Sequence, residues 1–285
     1  MTFIQRYSSL VKISHTIFAM PFALVGYFLA VHQTAYSFSW TTLLCVVLCM
    51  FFARNAAMSF NRYADKKWDA LNARTAQREI PRGSIAPKNA LLFCIVNALL
   101  FVLTTLLVNR ICFLLSPVAL AIVLGYSYTK RFTSLCHFIL GLGLSVAPMG
   151  AYLAVTAQWD AAPLLVSLLV LLWTAGFDII YALPDQAFDK SQQLRSIPAA
   201  IGIGRALVLS AWVHLLCVAL VGFIGIYLHL GALYYIGGAL FAACLVYEHC
   251  IVNARNLSRV NMAFATLNGI AGVVFCLFFV LEMYL

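Results

Sequence analysis

Two short segments carry acids at a spacing that suits metal chemistry: Asp65 with Asp69, and Asp185 with Asp189. Residues four apart on a helix share a face, so Arg54, Asn61, Asp65 and Asp69 form one stripe and Asp178, Tyr181, Asp185 and Asp189 form another. Acids are scarce, nine in 285 residues, which makes their concentration here informative. Four converging carboxylates would repel one another and lose hydration unless a cation sat among them. Mg²⁺ suits the site, because it takes oxygen ligands, uses one or two carboxylates per ion and completes its shell with water and phosphate oxygens. Arg62, Lys66, Lys67, Arg74, Arg78, Lys130, Arg131 and Arg195 can supply charge-assisted bonds to further phosphate oxygens. Acids for metal and bases for phosphate make an electrostatic clamp for a diphosphate. The plainer alternative is that the acids cap helix ends and pair with neighbouring bases.

The duplication of the pattern argues against that alternative. Asp65 and Asp69 shift by 120 residues onto Asp185 and Asp189, and each pair is followed by R-x-I-P, as Arg78 to Pro81 and Arg195 to Pro198. A four-helix unit that occurs twice would place both acid pairs at corresponding helix ends.

The elements that hold these residues must be membrane helices. The chain is 64% hydrophobic and 9% charged, with mean hydropathy +0.96, against roughly a quarter charged in a soluble domain. Long unbroken apolar runs exclude an outer-membrane barrel, whose strands alternate in polarity. Nine spans are expected, at 14–33, 40–60, 89–109, 112–128, 134–157, 163–184, 204–229, 231–251 and 262–284. Sixteen basic residues then fall on one face, with Arg110 alone on the other and Arg54 inside a span. The positive-inside rule puts the N-terminus and the acid-bearing loops in the cytoplasm and the C-terminus opposite. The first helix is read as retained, because Pro21 interrupts its core and no small-x-small cleavage site follows. Nine cysteines without C-x-x-C spacing read as packing thiols, and His15, His137, His214 and His249 as hydrogen-bonding helix residues. Gly141-x-Gly143 reads as helix packing. The whole is an all-α polytopic bundle of nine transmembrane helices, two four-helix pseudo-repeats plus one.

The residues resemble the UbiA-type intramembrane prenyltransferases. The first motif stands as Asn61-Arg62-Tyr63-Ala64-Asp65-Lys66-Lys67-Trp68-Asp69, and the second as Tyr181, Asp185 and Asp189. Lys12 to Ala23, Arg74 to Gly83 and Tyr126 to Arg131 extend the likeness across nearly the whole chain, as a single domain over 1–285. Arg62 departs from the ubiquinone-branch pattern, which has Asp there. F-D-I-I-Y-A-L-P-D and L-R-S-I-P are most similar to the 4-hydroxybenzoate-polyprenyltransferase-like subgroup linked to menaquinone made by the futalosine route, with a dihydroxynaphthoate acceptor.

The resemblance implies Mg²⁺-dependent transfer of a polyprenyl group from its diphosphate to an aromatic acid, 4-hydroxybenzoate-like or dihydroxynaphthoate, in the synthesis of menaquinone or ubiquinone at the inner membrane. Asp65, Asp69, Asp185 and Asp189, helped by Asn61, would hold metal. Arg62, Lys66, Arg74, Arg78, Lys130, Arg195, Asn61 and Tyr181 would bind the diphosphate. Arg54 or Arg131 would hold the acceptor carboxylate, and Asp178 would orient or deprotonate its hydroxyl, with Asp185 also in the catalytic set. Acceptors such as haem, chlorophyllide or homogentisate would share the diphosphate site. A transporter is the competing class, but its acids would lie nearer mid-bilayer than these paired acids do. Nucleic acid is not an expected partner.

Overall fold

The computed structural model describes residues 3–12, 18 and 20–285, with side chains from Gln5 onward. His15 and the rest of 13–17 and 19, the start of the expected first span, lie outside the described residues. Among the described residues every regular element is a helix. In chain order they are α1 (Phe3–Leu10), α2 (Met20–Gln33), α3 (Trp40–Ala64), α4 (Lys66–Leu71), α5 (Pro87–Val108), α6 (Arg110–Gly125) and α7 (Cys136–Thr156). There follow α8 (Ala161–Tyr181), α9 (Gln186–Ser191), α10 (Ile197–Ile201), α11 (Ile203–Tyr227), α12 (Ala232–Ile251) and α13 (Asn268–Tyr284).

Eight helical segments are long and apolar enough to cross a membrane, and α2 is a shorter apolar helix of 14 residues. They stand where the nine spans were expected. The ends differ for local reasons. The fourth span starts at Arg110, because the Asn109 side chain accepts from the Cys112 N–H as an N-cap, and it runs on as a 3₁₀ turn over Tyr126–Arg131. The sixth stops at Tyr181 rather than 184, because Pro184 cannot continue an α-helix and sits in a 3₁₀ turn, Leu183–Asp185. The last opens with a π-helical turn, Met262–Leu267.

The side chains sort as lipid requires. On α5, Leu92, Leu99, Leu103 and Leu107 are exposed along one face, while Asn97 is buried and accepts from Asn55 of α3 at 3.3 Å. Apolar groups outward and paired polar groups inward is the arrangement of a bundle in hydrocarbon, and the protein is a multi-pass membrane protein. Its main core surrounds Trp173, whose ring lies 5.2 Å from Phe22, 5.1 Å from Phe177 and 5.9 Å from Phe241. The Trp173 indole N–H donates to Asn268, which donates to Glu248, and His214 pairs with His249 at 3.0 Å. These two histidines are therefore hydrogen-bonded helix residues, as read from sequence, and the nine cysteines are free thiols.

Helix α7 packs closely on α8. A Cβ at Gly141 would come within 2.5 Å of the Leu171 carbonyl oxygen, so only glycine allows this approach. Gly143 instead lines a cavity between the helices.

Candidate functional site

Both acid pairs occupy broken helix ends. Helix α3 ends at Ala64, Asp65 caps it by donating its N–H to the Asn61 carbonyl, and α4 resumes with Asp69 in its first turn. In the second half α8 ends at Tyr181, the turn through Pro184 presents Asp185, and α9 carries Asp189. The break sits at the corresponding place in each half, as the 120-residue repeat requires.

One cavity of about 800 Å³ collects both stripes. Arg54, Asn61, Asp65 and Asp69 line it from one side, and Asp178, Tyr181, Asp185 and Asp189 from the other. Arg62, Arg74, Arg78, Lys130 and Arg131 complete the polar end. Away from that end the walls are apolar, including Val46, Met50, Phe101, Ile122, Ala147 and Leu164.

The acids and bases interleave. Arg74 grips Asp185, with Nε donating to Oδ1 at 2.9 Å and Nη2 bonded to Oδ2; Asn72 donates to Oδ1 at 3.0 Å. Arg78 pairs with Asp69 at 2.7 Å and Lys130 with Asp189 at 3.3 Å. Arg131 stands 3.6 Å from Asp65, which also accepts from Asn61 at 3.0 Å. Ser196 donates to Asp189 at 2.7 Å. The expectation that four carboxylates gather directly needs correcting. Among the described residues no three His, Cys, Asp or Glu side chains lie close enough to hold one ion, because a base stands against each acid.

The donor set nevertheless fits a hard divalent ion. It consists of carboxylate and amide oxygens, and the buried Oδ2 of Asp69 has no hydrogen-bond partner, which a bound cation would satisfy. Burial and the neighbouring Asp69 push the Asp65 carboxyl up to about 6, against the opposing pull of Arg131 and Lys130.

Two expected diphosphate contacts lie elsewhere. Lys66 follows Asp65 by one residue, about 100° round the helix, and its ammonium sits 4.1 Å over the Tyr63 ring, outside the cavity wall. Arg195 is exposed and donates to the Phe132 carbonyl at 2.8 Å, tying its loop to the end of the fourth span. Arg131 is enclosed by the rings of Trp68 and Tyr128, at 4.5 and 4.3 Å, and donates to the Ala64 carbonyl. Arg54 donates to the Lys12 carbonyl at 3.1 Å. Asp178 accepts from His137 at 2.7 Å.

Sequence reasoning missed Asn72 and Ser196, and it read His137 correctly as a hydrogen-bonding helix residue but not as a neighbour of Asp178. Asn72 and Ser196 carried a usable signal. Asn72 lies three residues beyond Asp69, and Ser196 is the variable position of the second R-x-I-P. His137 carried none, since its partner is 41 residues away.

A helical bundle with paired acids and bases at one end of an apolar cavity defines an intramembrane enzyme acting on an amphiphilic anion. The sequence pattern of the UbiA prenyltransferase family matches residues 19–278, and the chain belongs to that family. It is 31% identical over 236 residues to a 4-hydroxybenzoate octaprenyltransferase of Aliivibrio fischeri strain MJ11, covering 83% of this chain and 82% of that one. It is 34% identical over 244 residues to the enzyme so named from Aeromonas salmonicida strain A449, covering 82% and 81%. Among solved structures, the apo form of a UbiA homologue from Aeropyrum pernix K1 superposes with a TM-score of 0.85 at 32% identity, covering 94% of this chain and 98% of that one. A UbiA homologue from Archaeoglobus fulgidus bound to GPP and Mg²⁺ shares the fold, with a TM-score of 0.74 at 20% identity over 98% of this chain and all of that one. The protein is a prenyltransferase.

Proposed function

We propose that this single-domain enzyme transfers a polyprenyl group from polyprenyl diphosphate to an aromatic acid, a 4-hydroxybenzoate or a dihydroxynaphthoate, in respiratory quinone synthesis. The observation that carries the reading is the meeting of both acid pairs and five bases at one end of a single apolar-walled cavity. The relatives named 4-hydroxybenzoate octaprenyltransferase support the acceptor class, and the homologue bound to GPP and Mg²⁺ supports the donor and the metal.

Asp65, Asp69, Asp185 and Asp189, with Asn61, would hold Mg²⁺, which when bound would neutralise diphosphate oxygens and favour their departure. Arg62, Arg74, Arg78 and Lys130, with Tyr181 beside Arg74, bind the remaining phosphate oxygens. The polyprenyl tail lies along the apolar walls, which keep water from the developing allylic cation. The bond from the prenyl C1 to diphosphate oxygen breaks, a bond from C1 to an acceptor ring carbon forms, and the ring proton passes to the departing diphosphate. Arg54 and Arg131 both line the cavity, and one or other of them is assigned the acceptor carboxylate, with Asp178 assigned the acceptor hydroxyl. The one-sided distribution of basic residues puts the N-terminus and the acid-bearing loops in the cytoplasm and the C-terminus opposite.

The test is direct. Purified protein with Mg²⁺, labelled polyprenyl diphosphate and a panel of 4-hydroxybenzoate and dihydroxynaphthoates should give a prenylated acid that EDTA abolishes. Absence of product with every acid in the panel would overturn the reading.

A further inference from the structure

His137 is the second residue of α7, and the close approach of that helix to α8 at Gly141 brings it against Asp178. Its ring is 0% exposed, so both nitrogens need partners. Nδ1 lies 2.7 Å from Asp178 Oδ2, and Nε2 lies 3.3 Å from the backbone nitrogen of Ile197. A backbone N–H can only donate, so Nε2 is the acceptor, and Nδ1 therefore carries the hydrogen and donates it to Asp178. One carboxylate oxygen of Asp178 is thus fixed by the imidazole, and the other is what Asp178 can offer to a molecule in the cavity that it lines.

The tautomer has its own support. Ile197 begins α10, whose N-cap is Ser196. The Ser196 hydroxyl accepts from the Ala199 N–H at 3.3 Å and donates to Asp189 at 2.7 Å. Asp189, Ser196, the adjoining Ile197 N–H and His137 are buried, and through them the series reaches the half-buried Asp178. It joins an acid at the diphosphate end of the cavity to the carboxylate assigned to the acceptor.

We propose that His137 is a positioning residue that sets the orientation of Asp178 toward the acceptor hydroxyl, and that the Ser196–Ile197 turn holds His137 in the required tautomer. This rests on the prenyl-transfer reading. It accounts for a fully buried imidazole at a site where an apolar side chain of similar size would pack without needing partners. It also explains why the second R-x-I-P carries serine between Arg195 and Ile197: the serine, not the arginine, reaches Asp189.

Asparagine and glutamine separate positioning from packing. An Asn amide takes the place of Nδ1 and keeps the donor to Asp178, whereas a Gln amide reaches the place of Nε2. His137→Gln and His137→Leu should each lower kcat by about 10–100-fold, the usual cost of removing a group that orients a reacting one. Acceptor KM should rise, and the dissociation constant for polyprenyl diphosphate should stay unchanged. His137→Asn should recover most of the loss, and His137→Gln should cost nothing further in an Asp178→Asn background. If Asn is as poor as Gln, if the loss persists in the Asp178→Asn background, or if diphosphate affinity falls in parallel, His137 only packs the bundle and the proposal is overturned. Wild-type protein assayed alongside separates the two claims, since failure of the wild type with every acceptor sinks the prenyl-transfer reading itself.

Discussion

Arg74 and Asp185, 111 residues apart, close the polar end of the cavity with a two-point ion pair between the two halves of the chain. Lys130–Asp189 repeats the theme, and Arg78–Asp69 adds a pair within the first half. A divalent ion arriving alone would have to displace a cation and leave it partly buried and unpaired, which is costly. Diphosphate arriving with the ion offers the displaced bases new partners while the metal takes the carboxylates. Binding of the two should therefore be coupled, by about 1–3 kcal/mol, or roughly 5–150-fold. Titrating Mn²⁺ by electron paramagnetic resonance with and without pyrophosphate measures this directly. Equal affinity in both titrations would contradict the exchange.

Loss of one carboxylate should be more damaging than loss of its partner base. Asp65→Ala or Asp185→Ala should abolish Mg²⁺-dependent transfer while the protein still inserts and purifies. Arg74→Ala should retain measurable turnover with weaker diphosphate binding. Turnover by Asp185→Ala at saturating Mg²⁺ would remove the metal site from this cavity.

The bases differ in reach. Lys130 faces Asp189 inside the cavity, whereas Lys66 sits over Tyr63 and Arg195 on the Phe132 carbonyl. Lys130→Ala should therefore raise the KM for polyprenyl diphosphate by about 10–100-fold, the scale of a lost charged hydrogen bond. Lys66→Ala and Arg195→Ala should leave it near the wild-type value. A large effect of Lys66→Ala in a detergent-free assay would mean that the short helix α4 turns when substrate binds.

Much of this geometry was legible in the chain, because local rules govern it. A four-residue spacing fixes which acids share a face, and Pro184 fixes where α8 must stop. The pairing across the cavity was not legible. Arg78 and Arg195 each open an R-x-I-P, though three residues out of step with the acid repeat, and Arg78 turns to Asp69 while Arg195 turns to Phe132. The difference arises because Lys130 and Ser196 already occupy Asp189. His137 depended on a contact between helices that only the Gly141–Leu171 approach creates, and no spacing within one helix encodes it.

Asp65 makes stability depend on pH in a way that its neutral analogue tests. Its carboxyl is pushed up to about 6 from 3.8, chiefly by burial and then by Asp69. Between those values the folded chain binds more protons than the unfolded one, so this group's contribution to stability falls as pH rises through that window. Without metal, Asp65→Asn should melt higher than wild type at pH 7.5, and the gap should close toward pH 4. Added Mg²⁺ with pyrophosphate should reverse the order at pH 7.5, since a charged carboxylate gains more from the ion than a neutral amide does. A wild type that melts above Asp65→Asn at pH 7.5 without metal would mean that Arg131 and Asn61 outweigh the cost of burial.

Gly150 tests where the tail runs. It lines the cavity on α7, and a Cβ there would meet no heavy atom of another element within 4 Å. It lies 14 residues beyond Cys136, hence about 21 Å along the helix from the end that carries His137. A short prenyl chain leaving the acids would not reach that depth, whereas a long one would fill it. Gly150→Phe should therefore project a ring into free space without disturbing the helix contact. It should cut kcat/KM for an octaprenyl donor by about 10–100-fold, as expected for 1–3 kcal/mol of overpacking, and leave geranyl diphosphate nearly unaffected. Competition between the two donors in one reaction gives the ratio without needing absolute rates. An unchanged ratio would place the tail outside this part of the cavity, along the lipid-facing surface instead.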